Sequence, residues 1–151
     1  MKYLDTNIFL RYLVSGGNPE KRAACKELFR AINAGTDTAT TCEAVVTEIV
    51  YVLSSKRQYN LTHKEVRARM VPILSMRGLK IPNKHVYRRA LDLYTSYTFL
   101  DYEDAICLAN LELRPGNKLY SYDTHFDRIQ GVTRLEPKRA IKSMIASKKG
   151  V

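Results

Sequence analysis

The side chains best suited to chemistry in this chain are acids placed where apolar segments begin or end. Asp5 follows the opening run Met1-Lys2-Tyr3-Leu4 and precedes a helical pattern, and Asp123 repeats that arrangement in Leu119-Tyr120-Ser121-Tyr122-Asp123-Thr124. Each suits a helix N-cap, whose side-chain oxygen takes an otherwise unpaired backbone N–H. Glu48 stands within Ala44–Leu53, a stretch so apolar that its helix is expected to be mostly buried. A buried carboxylate needs a cation, an arginine or a water-filled cleft. Asp104 comes with Asp101 and Glu103 at a helix start, where acids complement the dipole. Asp101 and Asp104 are three apart and share a face with Leu108 and Leu111, so both are expected at the core edge, with Glu103 pointing elsewhere.

Bringing Asp5, Glu48, Asp104 and Asp123 together would cost about 4 kcal/mol per pair at ~4 Å and an effective dielectric of ~20. A divalent cation removes that cost. Oxygen-only ligands point to Mg²⁺ or Mn²⁺, with waters completing an octahedron. Such an ion orients a water, lowers its pKa and steadies the charge that builds in phosphodiester cleavage. The chain carries 25 Lys and Arg against 15 Asp and Glu, a formal charge of +10. Basic surface around an acidic metal pocket suits a polyanion held by its phosphates while the ion does the chemistry.

Positioning such acids requires strands that end together. Residues 2–5 read as an extended start, followed by a helical turn entered through Thr6 and Asn7. Gly16-Gly17-Asn18-Pro19 is a break; the helix after it, over 20–34, is expected to turn Ala24, Leu28, Ala31 and Ile32 inward and to close at Gly35. Residues 37–41 read as a strand and 42–55 as a helix. Thr62 and Glu65 form a capping box for a helix to about Met76, kinked or shortened by Pro72. Leu79–Ile81 reads as a strand, 83–97 and 101–113 as helices, Lys118–Ser121 as a strand, 124–129 as a helical turn and Val132–Leu135 as a last strand. Strands alternating with helices predict an α/β fold with a short, mostly parallel sheet covered on both faces, which binds ligands beyond its carboxyl edge.

With 151 residues, 45% hydrophobic and 26% charged, the chain suits one domain and excludes disorder, collagen and coiled coil. No uninterrupted apolar stretch approaches the ~20 residues of a membrane helix. Asp5 stands where a secretory leader would begin its apolar run, and the 3 cysteines, Cys25, Cys42 and Cys107, have no disulfide or zinc spacing. A reducing cytoplasm and packing roles for all three thiols are expected. His63 and His85 are expected on exposed helix surface; His125 lies close to Asp123. Tyr51, Tyr94 and Tyr97 are expected in the core or an interface. From Pro137 onward the residues are basic, small or apolar without one acid, dividing the chain into a domain over 1–137 and a basic tail over 138–151. That tail suits a solvated end, or an arm for nucleic acid or for an oligomer contact.

Taken in order, Leu4-Asp5-Thr6-Asn7, Val46-Thr47-Glu48-Ile49-Val50-Tyr51-Val52-Leu53, Asp101-Tyr102-Glu103-Asp104-Ala105, Ser121-Tyr122-Asp123-Thr124-His125-Phe126-Asp127 and Gly131-Val132 resemble the successive blocks of PIN-domain ribonucleases. The resemblance spans residues 1–137 and implies a three-layer α/β/α sandwich with Mg²⁺- or Mn²⁺-dependent RNA cleavage. It makes Asp5, Glu48, Asp104 and Asp123 the metal-binding, catalytic acids. Asn7 and Ser121 become supporting polar groups, and Asp101 and Asp127 accessory acids. Small single-domain members are most similar to VapC-type toxins of toxin–antitoxin pairs, which implies a homodimer and a cognate antitoxin that blocks the site.

Other assignments fit less well. Asn7 stands where a haloacid-dehalogenase-like phosphatase needs a second acid, Asp5 lacks the early acid partner of a phosphoreceiver, and Gly16-Gly17 lacks the strand and Lys of a phosphate loop. From another class, a non-catalytic RNA- or protein-binding module on the same fold would use the 10 tyrosines and the basic excess for stacking and phosphate contacts. A pure binder gains nothing from acids at its centre.

Overall fold

The first strand, β1 (Lys2–Tyr3), is too short to stand alone and is held by β2 (Ala39–Thr40), which runs parallel to it with Lys2 opposite Ala39 and Tyr3 opposite Thr40. Lys2 N donates to the Thr38 carbonyl at 3.1 Å and Leu4 N to that of Thr40 at 3.0 Å. Beyond the pair, the buried Thr41 hydroxyl donates to the Leu4 carbonyl at 2.8 Å, satisfying a polar group that would otherwise be orphaned. The two strands therefore end together, and helices leave from their carboxyl ends. This structure is a computed structural model and describes residues 1–138. It divides into two compact units, Met1–Asn110 and the residues from Leu111 onward.

In the first unit, α1 (Thr6–Leu13) follows β1 and buries Phe9. Helix α2 (Pro19–Ala34) opens on Pro19, is capped by Asn18 accepting from Lys21 N, and stops at Gly35 in the left-handed region, φ 78°. Its inner face is Cys25, Phe29 and Ile32, whereas Ala24 is exposed. Ile32 points inward as expected, while Cys25 and Phe29 take the central places expected of Ala24 and Leu28. The cause is Phe29, whose ring meets Tyr12 at 4.5 Å and Phe9 at 5.4 Å and so takes the central position.

Helix α3 (Glu43–Ser54) buries Val45, Val46, Ile49, Val50, Val52 and Leu53. Ala44, Glu48 and Tyr51, at i, i+4 and i+7, are left as its solvent stripe. Helix α4 (His63–Leu74) carries the predicted capping box in full: Thr62 and Glu65 exchange side-chain and backbone bonds. Pro72 lies one turn from its end, where few helix bonds remain to be lost. Helix α5 (Lys84–Ser96) packs on α4, and Arg67 and Asp92 pair at 2.8 Å on the rim, worth at most about 1 kcal/mol. The strand expected at Leu79–Ile81 is one bridge, Ala39 opposite Leu79, because Pro82 cannot continue a ladder. Helix α6 (Tyr102–Glu112) begins directly after Asp101.

In the second unit β3 (Lys118–Tyr120) pairs parallel with β4 (Thr133–Leu135), and Ser121 N extends the ladder to the Leu135 carbonyl at 2.9 Å. A 3₁₀ helix (Thr124–Arg128) makes the crossover. The strands are parallel as predicted, in two pairs rather than the one sheet expected. Among the described residues no helix is long and apolar enough to cross a membrane. Of the basic tail, 139–151 lie outside the described residues.

Candidate functional site

Asp5 is the N-cap of α1, its Oδ1 accepting from Thr6 N at 2.7 Å. It is exposed at the carboxyl end of β1, and the cap uses one of its two carboxylate oxygens. Of the capping residues the sequence offered, Asp5, Thr6 and Asn7, the cap is Asp5. Asn7 is exposed in the first turn of the same helix.

Glu48 corrects the sequence reading. It lies on the solvent stripe of α3 and is exposed, so burial does not explain its presence in an apolar helix. Six apolar residues close the buried face around it without needing its position. Asp101 is also exposed, not turned inward, while Asp104 is half-buried. The two are brought together by a bond from Asp104 N to Asp101 Oδ1 at 2.8 Å, which starts α6.

The second unit builds its own acid turn. Asp123 Oδ1 accepts from His125 N at 2.9 Å and faces His125 Nδ1 at 3.0 Å, and the Ser121 hydroxyl accepts from Asp123 N at 3.0 Å. Ser121, Asp123 and His125 are thus one hydrogen-bonded chain at the carboxyl end of β3. Asp127 is taken by Arg134, whose Nε donates to it at 2.8 Å while Nη1 donates to the Ser121 carbonyl at 2.9 Å and to Glu136 at 2.8 Å. These two carboxylates hold the Arg134 guanidinium pKa above its ordinary value. Asp127 therefore anchors the arginine that fixes the end of β3.

Sequence reasoning missed Cys42. Expected to pack, it is exposed as the N-cap of α3. The Tyr3 hydroxyl beside its sulfur, and then the backbone N–H groups of Val45 and Ala44, lower its thiol pKa. Burial, and then Asp104, raise that of Cys107. A thiolate is the nucleophile, so at pH 7.5 iodoacetamide is expected to label Cys42 before Cys107, and Tyr3→Phe to slow that labelling. Equal labelling rates by mass spectrometry would contradict the assignment. His63 is likewise not free surface: its ring stacks on Tyr94 at 3.8 Å and its Nε2 meets the Leu100 carbonyl at 3.1 Å.

Parallel strands that end in capping carboxylates, in both units, are the frame the sequence predicted for the acids. The family model described as PIN domain matches residues 2–132, nearly the whole chain. The chain belongs to the PIN family. A PIN domain is an α/β fold, and short parallel strands between helices are consistent with its three-layer α/β/α arrangement. PIN domains are generally metal-dependent nucleases. No curated protein matches this PIN chain.

The metal that PIN domains usually bind can be weighed against the donors present. Asp5, Glu48, Asp104 and Asp123 offer carboxylate oxygen, the donor chemistry of a hard divalent cation. Asp5 commits one oxygen to its cap bond. Among the described residues no three His, Cys, Asp or Glu side chains form a group that could hold a metal. The donors fit Mg²⁺ or Mn²⁺ in kind.

Proposed function

We propose that this PIN domain is an Mg²⁺- or Mn²⁺-dependent endoribonuclease that hydrolyses RNA phosphodiester bonds. We further propose that it is the VapC-type toxin of a toxin–antitoxin pair, working in the cytoplasm as a homodimer held in check by a cognate antitoxin. The observation that carries the reading is the repeated junction of parallel strand, capping carboxylate and helix at Asp5 and Asp123.

Asp5, Glu48, Asp104 and Asp123 would hold the ion, which supplies an acidified water and a counter-charge for the transition state. The cap bonds from Thr6 and His125 restrict the Asp5 and Asp123 carboxylates, which lowers the cost of ordering them. The Ser121 hydroxyl braces the Asp123 backbone, and Arg134 fixes the Ser121 carbonyl. The excess Lys and Arg hold the phosphates.

A second reading, a non-catalytic RNA-binding module, draws on Tyr120 and Tyr122, which flank Ser121 and are 66% and 70% exposed. One assay separates the two. Total RNA is incubated with the protein in Mg²⁺ and in EDTA, at rising salt. Cleavage in Mg²⁺ that EDTA abolishes, with RNA affinity falling steeply with salt, is the expected result. RNA binding without cleavage in either buffer supports the module. A flat salt response contradicts phosphate binding in both readings.

A further inference from the structure

A cavity of about 570 Å³ opens in the first unit between α3, the starts of α4 and α6, and the end of α5. Its aromatic lining comprises Tyr51, 68% exposed, the half-buried Phe99, and the buried Tyr94 and Tyr102. Exposed aromatic rings beside a cavity are surfaces on which a planar group can stack.

The polar lining has a consistent sense. The Thr47 hydroxyl donates to the Ala44 carbonyl at 3.0 Å, the Ser54 hydroxyl to Val50 at 2.9 Å, and the Tyr102 hydroxyl to Tyr87 at 2.8 Å. His63 Nε2 faces a carbonyl, so that nitrogen carries the proton and donates it to Leu100. Each of these groups directs its proton to the backbone. The rest of the polar lining is the Tyr51 and Tyr94 hydroxyls, which donate or accept, and the carboxylates of Asp101 and Glu103, which only accept. Asp101 already commits Oδ1 to Asp104 N. Glu103, exposed in the first turn of α6, is left as the carboxylate suited to a two-pronged donor. An accepting carboxylate beside an exposed ring matches a flat group with two adjacent N–H donors.

Two chemistries present such a group, a guanine edge and an arginine side chain. The formal charge of +10 draws polyanions in and repels a basic peptide at long range. The cavity also adjoins Asp104 through Asp101, so its occupant would lie at the same helix start as one of the proposed acids. We propose that this cavity is a nucleobase subsite selective for guanine, resting on the reading of the chain as an RNA-binding nuclease. The base stacks on Tyr51, and its N1–H and N2–H₂ donate to the Glu103 carboxylate.

The test is binding, in EDTA, of labelled tetranucleotides that differ at one position: guanine, inosine (which lacks the 2-amino group) or uracil. Fluorescence anisotropy of the full chain is expected to give about tenfold tighter binding for guanine than for inosine, with uracil weakest. Glu103→Gln is expected to erase the guanine-over-inosine ratio, and Tyr51→Ala to weaken all three by about tenfold. Both residues are exposed, and circular dichroism confirms that the variants fold. Equal affinity for the three oligonucleotides overturns the proposal, as does a guanine preference that survives Glu103→Gln. Displacement of bound tetranucleotide by an arginine-rich peptide that loses affinity in Glu103→Gln, with no preference among bases, assigns the cavity to a cationic partner and also overturns it. Because no metal is present, a guanine preference without RNA cleavage in Mg²⁺ leaves the subsite standing and removes the nuclease reading. Cleavage without base preference does the reverse.

Discussion

Asp5→Asn is expected to lower Mg²⁺-dependent RNA cleavage by at least about 100-fold while the chain stays folded. Asn and Asp are comparable N-caps, so the bond to Thr6 N and the start of α1 survive the change. What is lost is one negative charge and, in the proposed reading, one anionic ligand. The same reasoning applies to Asp123→Asn, whose amide oxygen still accepts from His125 N. Initial rates on a defined RNA, together with thermal melts of each variant, separate loss of charge from loss of fold. An Asp5→Asn protein that melts like the parent and cleaves at the parental rate would remove Asp5 from the catalytic set.

Gly78→Ala is expected to be the most destabilising small substitution in the first unit, by about 2–4 kcal/mol. Gly78 donates to the Ile32 carbonyl at 2.8 Å and accepts from Ala39 N at 2.9 Å, joining the end of α2 to the start of β2. A Cβ there would run into the Asp37 carbonyl oxygen and lie 2.5 Å from that of Ile32. Both obstacles are backbone, so no side chain can rotate away. Relief requires moving either the end of α2 or β2, and β2 is what holds β1 and hence Asp5 in place. Urea unfolding of Gly78→Ala beside the parent reads that cost directly, because Gly78 is not among the positive-φ glycines and Ala brings no left-handed strain there. An unchanged midpoint would show that the close approach at Gly78 carries no energy.

The contrast between these positions marks what the sequence makes legible. Local chemistry reads well: the Thr62–Glu65 capping box, Asn18 and Pro19 before α2, and Gly35 after it all act through neighbours within a few residues. The acids at strand ends read well for the same reason, because a strand, an Asp and a helix start are adjacent in the chain. Readings that depend on distant partners fail. The exposure of Glu48 follows from which side of α3 meets the core, and an apolar helix carries too weak a moment to reveal that. The packing of Gly78 against Ile32 and Asp37 joins segments some forty residues apart. Arg134 taking Asp127 was hidden because an ion pair across a crossover leaves no periodic trace. Cys42 looked like core because its neighbours are apolar, yet a cap position faces outward whatever surrounds it in sequence.

The proposed nuclease reading makes both Asp5 and Asp123 ligands of the divalent ion. Mn²⁺ binding followed by electron paramagnetic resonance tests this without any substrate. Titration of the parent chain, Asp5→Asn and Asp123→Asn is predicted to show one class of tight Mn²⁺ in the parent, weakened by at least about tenfold in both variants. Parental Mn²⁺ binding in either folded variant would contradict it.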